Sequence, residues 1–173
     1  TCIENGTICL PEDSPLPGTN ILVLHVFVGD DAFPLKRSMM KPYPFRCQNR
    51  SQRIFSYRLS RARRTVENAF GILSNRFRVL LTPIHLHPAK VDKLILACVV
   101  LHNMLIKENA SHYSPPSSLD VENLLTGQIQ PADWRAGAQL AGLQRHGNRI
   151  NNEAKRIRET FCEYFNGVGK VAW

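Results

Sequence analysis

The segment Ile21–Val28 (ILVLHVFV) constrains the fold more than any other part of the chain. Seven of its eight residues are apolar, and it is bounded by Asn20 and Gly29. Its length and its β-branched content suit a strand buried on both faces. It runs into Gly29-Asp30-Asp31. Carboxylates just past the end of a buried strand lie where α/β sheets place their chemistry. The run is far shorter than the roughly 20 apolar residues needed to cross a bilayer, and no charged-then-apolar leader opens the chain. No membrane association is expected.

The whole chain, 173 residues, is about one domain's worth. Residues 1–20 are rich in Pro, Gly and Asn and read as a loop-like lead-in. Residues 34–57 carry Pro34, Pro42 and Pro44 and read as irregular or short helical structure. Ser60 then suits an N-cap. Ala62, Val66, Ala69, Phe70, Leu73, Phe77 and Leu80 recur at helical spacing, predicting a helix from about Arg61 to Leu80 that ends before Pro83. Pro88 fits the first position of a second helix, which reaches about Lys107. Its stripe is Val91, Leu94, Ile95, Cys98, Leu101, His102 and Leu105. Residues 109–132 are Ser/Pro/Asn-rich and read as a flexible linker. A last helix is expected from Asn148 to Phe165, with Ile150, Ala154, Ile157, Phe161 and Phe165 on one face. Four segments follow: a lead-in (1–20), a main portion (21–108), a linker (109–132) and a C-terminal helical segment (133–173).

The net charge is +8, and it is concentrated. Between Lys36 and Arg78 there are twelve Lys or Arg residues, ten of them Arg, against one acid, Glu67. Arginine forks pair well with phosphates. An arginine field beside Phe45, Phe55 and Tyr57 is the electrostatic footprint of a nucleic-acid binder. The plainer alternative is a solvated face whose Arg stems cover apolar surface.

Five cysteines (Cys2, Cys9, Cys47, Cys98, Cys162) are odd in number, widely spaced and without a C-x-x-C, which excludes a disulfide scaffold or a zinc ribbon. Cys98 reads as a small core residue, and Cys47 lacks the His or Asp context of a nucleophile. Asn5, Asn49 and Asn109 head N-x-S/T sequons that matter only in a secretory setting. His85 and His87 read as a surface pair, and His102 as a hydrogen-bonded core histidine.

Asp30 and Glu67 are the candidate chemical pair. Glu67 follows Arg63 and Arg64 by four and three residues, so a purely structural role in neutralising them is the competing reading. Asp30 and Asp31, for their part, can simply cap a turn. Against this stands the context. Phosphodiester cleavage needs clustered carboxylates to hold divalent ions while arginines hold the strand.

Three stretches then resemble a known family. Phe27-Val28-Gly29-Asp30-Asp31-Ala32-Phe33-Pro34-Leu35 is similar to its VGDxAFPL-type segment, and Lys41-Pro42-Tyr43 to its KPY-type turn. The stretch from Tyr57 to Gly71 (YRLSRARRTVENAFG) resembles its signature helix, with Leu101-His102-Asn103, Tyr164-Phe165 and Trp173 fitting as well. The family is the PIF/Harbinger transposases and their domesticated nuclease relatives.

The resemblance implies an α/β, RNase H-like DDE nuclease fold, helix-rich and truncated at its N-terminus. It also implies metal-dependent cutting of DNA, with Asp30 and Glu67 as metal ligands and catalytic acids and Asp31 as a lesser candidate. The ion would be Mg²⁺, with Mn²⁺ as the alternative. Arg58, Arg61, Arg63, Arg64, Arg76 and Arg78 would hold DNA phosphates. A nuclear location and a Myb/SANT-like DNA-binding partner are implied too. The family's first Asp has no counterpart here, since Glu4, Glu12 and Asp13 lie in loop-like sequence. The chain therefore resembles the C-terminal part of such a domain. A non-catalytic DNA-binding or adaptor protein domesticated from a transposase is the rival expectation.

Overall fold

A computed structural model of the chain describes residues 9–46, 48–123, 125–136 and 151–171. They divide into two units: residues 9–63 with 151–171, and residues 64–136.

In the first unit, β1 (Ser14–Pro15) pairs antiparallel with β2 (Leu22–Val23), and β3 (Phe27–Val28) pairs parallel with β4 (Met39–Met40). The β1–β2 link closes through Leu16 N–H to Ile21 O at 2.9 Å, with Gly18 at φ 74° in the turn. The expected continuous strand over residues 21–28 is thus two short strands in two different sheets. Among the described residues every sheet has only two strands. With no neighbours on both sides, the run cannot be buried on both faces, and Ile21 and Leu22 are exposed.

α1 (Arg50–Arg76) begins well before the expected start near Arg61. The reason is a reciprocal cap. Gln52 N–H donates to Asn49 Oδ1 at 2.8 Å, and Asn49 N–H donates to Gln52 Oε1 at 3.3 Å. This is a capping box with Asn and Gln in its two roles. Ser60, expected as the cap, is an exposed residue inside the helix. The first half of α1 belongs to the first unit and turns Phe55 and Leu59 into its core. α3 (Asn152–Asn166) packs there too. Asn151 caps it, accepting from Glu153 N–H at 2.9 Å. The expected stripe of α3 holds for Ala154, Ile157, Phe161 and Phe165, which join Leu35, Met40 and Phe55 in the core. Asn148 and Ile150 lie outside the described residues. Phe55 is fully buried, meeting Tyr43 edge-on at 5.4 Å between ring centroids. Arg158, itself buried, stacks over Tyr43.

In the second unit, the rest of α1 buries Ile72 and Leu73. α2 (Pro88–Tyr113) starts at Pro88 as its sequence predicts and buries Cys98 and His102. It outlasts the expected end at Lys107. Its regularity breaks at Asn109 (φ −154°, ψ 72°), and one further turn carries the chain to Tyr113. That turn returns Tyr113 OH to His102 Nδ1 at 2.8 Å, so His102 is the hydrogen-bonded core histidine expected of it.

Residues 109–132, read from sequence as a flexible linker, carry the end of α2, a 3₁₀ turn at Pro116–Ser118 and a hairpin. The hairpin pairs β5 (Val121–Glu122) with β6 (Ile129–Gln130). Its hold on α1 is polar: Asp120 N–H donates to the buried Asn68 Oδ1 at 3.2 Å. A further 3₁₀ turn, Asp133–Ala136, lays Trp134 across Gly71 of α1 so closely that no Cβ could stand between them.

Candidate active-site acids

Asp30 sits in the turn just after β3. Its Oδ1 accepts from Ala32 N–H at 2.9 Å and its carbonyl accepts from Phe33 N–H at 3.2 Å, an Asx-type turn. The preceding Gly29 is buried, donates to Met40 O at 2.8 Å and leaves the Phe33 side chain almost no clearance. The turn is therefore tight, and it projects Asp30 toward α1, where Arg63 Nη2 lies 3.6 Å from Asp30 Oδ2. Asp31 turns to a different partner. Lys41 Nζ donates to its carbonyl at 3.0 Å and pairs with its carboxylate at 3.3 Å. The turn thus brings Asp30 to Arg63 and Asp31 to Lys41.

Glu67 lies in the second unit, and the cation held against it comes from far along the chain. Arg135 Nη2 is 3.1 Å from Glu67 Oε2. Arg135 is itself gripped by Asp120, through Nε to Oδ1 at 2.8 Å and Nη2 to Oδ2 at 2.5 Å, while its guanidinium lies over Trp134. The hydrogen bonds from Arg135 hold the Asp120 carboxyl below the usual carboxylate range, overriding the opposite push of burial. The same two acids hold Arg135 firmly in its charged form. Beside this group, Arg64 Nη1 donates to Glu122 Oε2 at 2.8 Å.

The six arginines expected to hold phosphates are thereby sorted. Arg58 lies over the Phe165 ring at 4.8 Å, Arg63 faces Asp30, and Arg64 is committed to Glu122. Arg76 donates to Tyr113 O at 2.7 Å and stacks on that ring. Arg61 is half-buried, and Arg78 is exposed. Part of the basic segment therefore works inside the protein, balancing acids and covering aromatic rings.

Asp120, Glu122 and Arg135 were not singled out in the sequence. The alternation Leu119-Asp120-Val121-Glu122 has the period of a strand, but it points the wrong way: Leu119 and Val121 are exposed, while the Asp120 and Glu122 side chains are buried.

A catalytic divalent ion needs several oxygen ligands converging on one point. Among the described residues no group of three or more His, Cys, Asp or Glu side chains is gathered for that purpose. Asp30 and Glu67 each face a guanidinium instead.

The chain belongs to the DDE superfamily endonucleases: the model of that family matches residues 13–103, a span that contains the Gly29-Asp30 turn and α1. No curated protein and no solved structure matches it significantly. No helix among the described residues is long and apolar enough to cross a membrane.

Proposed function

We propose that this chain is the nuclease portion of a PIF/Harbinger-type, transposase-derived protein with an RNase H-like ancestry. It acts on DNA phosphodiester bonds by metal-dependent hydrolysis or strand transfer. The observation that carries this reading is the family match over residues 13–103, a span that includes both Asp30 and Glu67. In it Asp30 and Glu67 are the acids that would hold Mg²⁺ or Mn²⁺, an ion that would supply water activation and charge neutralisation when bound. Exposed basic residues such as Arg78 contact the DNA backbone. Nuclear residence and a Myb/SANT-like partner belong to the same proposal, because they accompany the family resemblance.

A second reading is favoured by one observation. Both acids face arginines, and the described residues gather no three-acid cluster. In that reading the protein is a DNA-binding or adaptor protein that keeps the basic surface without cutting.

Plasmid nicking separates the two. A nuclease nicks supercoiled DNA only with Mg²⁺ or Mn²⁺, and Glu67→Gln abolishes nicking while leaving DNA affinity nearly unchanged. A binder retards DNA without metal, loses affinity steeply with salt and never nicks. Metal-dependent nicking that survives both Glu67→Gln and Asp30→Asn would overturn the assignment of these acids.

A further inference from the structure

The β5–β6 hairpin meets α1 with its charged side. Leu119, Val121, Leu125 and Ile129 are exposed, while the side chains of Asp120 and Glu122 are buried. A hairpin docked for stability alone would bury its apolar face and leave its charges in water. Residues 119–123 and 125–136 instead follow one face of α1 through a row of polar contacts. Glu122 binds Arg64 at 2.8 Å, Arg135 meets Glu67 at 3.1 Å, and Asp120 N–H donates to Asn68 at 3.2 Å. Trp134, lying on Gly71, adds an apolar anchor. Arg64, Glu67, Asn68 and Gly71 stand three and four residues apart, so the covered face is a single one.

The covering segment is also tied to itself. Asp120 Oδ1 accepts from Ala132 N–H at 2.9 Å and from Arg135 Nε at 2.8 Å, and Asn123 N–H donates to Gln128 O at 2.8 Å. These ties do not involve α1, so the segment can leave the helix as one piece.

Building on the DNA-processing role proposed above, we infer that residues 119–123 and 125–136 form an autoinhibitory strap that competes with DNA for this face of α1. A carboxylate and a phosphate bind a guanidinium through the same charge-assisted hydrogen bonds. Glu122 therefore takes on Arg64 the place of a DNA phosphate, and Arg135 takes Glu67 from the other side. The strap carries three acids and one base, whereas the stretch from Lys36 to Arg78 carries twelve bases and one acid. Deleting one member of a buried pair strands the other, but separating an intact pair returns both charges to water, which offsets much of the lost attraction. A polyanion that then fills the vacated arginine favours the open form. The coupling is reciprocal: DNA opens the strap by the same factor as an open strap strengthens DNA binding.

The test uses the full chain, a short random-sequence DNA duplex and no divalent metal. In the unsubstituted chain the Asp120 amide, bonded to α1, exchanges its hydrogen faster once duplex is bound, while the Ala132 amide, bonded within the strap, does not. Simple binding over this face would slow both. Gly71→Ala pushes Trp134 off α1 without changing any charge, since the added methyl would overlap the indole. It binds duplex about five- to tenfold more tightly by fluorescence anisotropy. Glu122→Gln shifts affinity the same way, and Asp92→Asn, which removes an equal charge from α2, shifts it much less. Circular dichroism checks that each variant keeps its helices, and the exchange measurement decides without any variant. Duplex binding that leaves the Asp120 amide as slow as before, or an unchanged affinity in folded Gly71→Ala, overturns the strap and leaves the DNA role standing. Absence of duplex binding at low salt in both the unsubstituted chain and Gly71→Ala overturns the DNA role, and the strap falls with it.

Discussion

Arg64 and Glu122 are bound at 2.8 Å across 58 residues of sequence, with side chains only 13% and 5% exposed. The pair fastens the β5–β6 hairpin to α1. Removing one member of a buried pair strands the other's charge and typically costs about 3–5 kcal/mol. Arg64→Ala is therefore expected to cost about that much in urea unfolding. Replacing both partners with apolar residues of similar size should recover a large part of the loss, because the stranded charge is gone. Equal losses in the single and double variants would show that the pair does not hold the hairpin.

Asp120 gives the protein an acid-sensitive joint. Its side chain is 1% exposed, and its carboxyl titrates below the usual range because Arg135 binds the charged form. A depressed folded pKa means that the stabilisation is fully present above the unfolded value of about 3.9 and is lost as pH falls through the lower folded value. Asp120→Asn should lower stability at neutral pH by about 1.5–3 kcal/mol, the range for hydrogen bonds to charged groups. It should also flatten the loss of stability below about pH 4. Thermal melts from neutral to strongly acidic pH check both. An unchanged acid limb would sink the assignment.

His102 acts at a higher pH. Burial lowers its pKa, so the folded state resists protonation. Stability at this site is complete above about pH 6.5 and declines as pH falls below it. Tyr113→Phe removes the hydroxyl bonded to Nδ1 and is expected to cost about 1 kcal/mol. NMR titration of the His102 ring should give a midpoint below about 6.5, the ordinary histidine value.

Gly71→Ala inverts the usual helix rule. In an exposed helix interior this change stabilises by up to about 1 kcal/mol. Here the added methyl would overlap the Trp134 indole, and overpacking of this kind costs about 1–3 kcal/mol. Gly71→Ala should therefore lower the melting temperature and shift tryptophan fluorescence. In a Trp134→Ala background the same substitution should no longer destabilise.

The elements legible in the sequence were those whose signals are local. Pro88 marks the start of α2, and the stripe from Ala154 to Phe165 marks α3. The burial of His102 followed from its place on the α2 stripe. The start of α1 was missed because its cue, the Asn49–Gln52 box, sits in a proline-rich neighbourhood that suggests irregular chain. The apolar run at 21–28 looked like a central strand because composition says nothing about whether neighbouring strands exist. The hairpin at 121–130 was invisible for a related reason. Its attachments are ion pairs and hydrogen bonds to residues up to 58 positions away, which leave no periodic trace. As for the candidate acids, Asp30 and Glu67 stood out by motif and context. Their partners did not, because Glu67 is met by Arg135, a residue 68 positions further on.

The short β1 strand has a consequence for solubility. Leu16 turns its N–H inward to Ile21, so the backbone nitrogen of Pro15 faces the open rim of the sheet. That nitrogen carries no hydrogen. A strand from another molecule that approached the β1 side would find no donor at Pro15. A proline at a sheet edge is a common safeguard against fibril-like stacking, and here a single missing proton blunts the β1 rim.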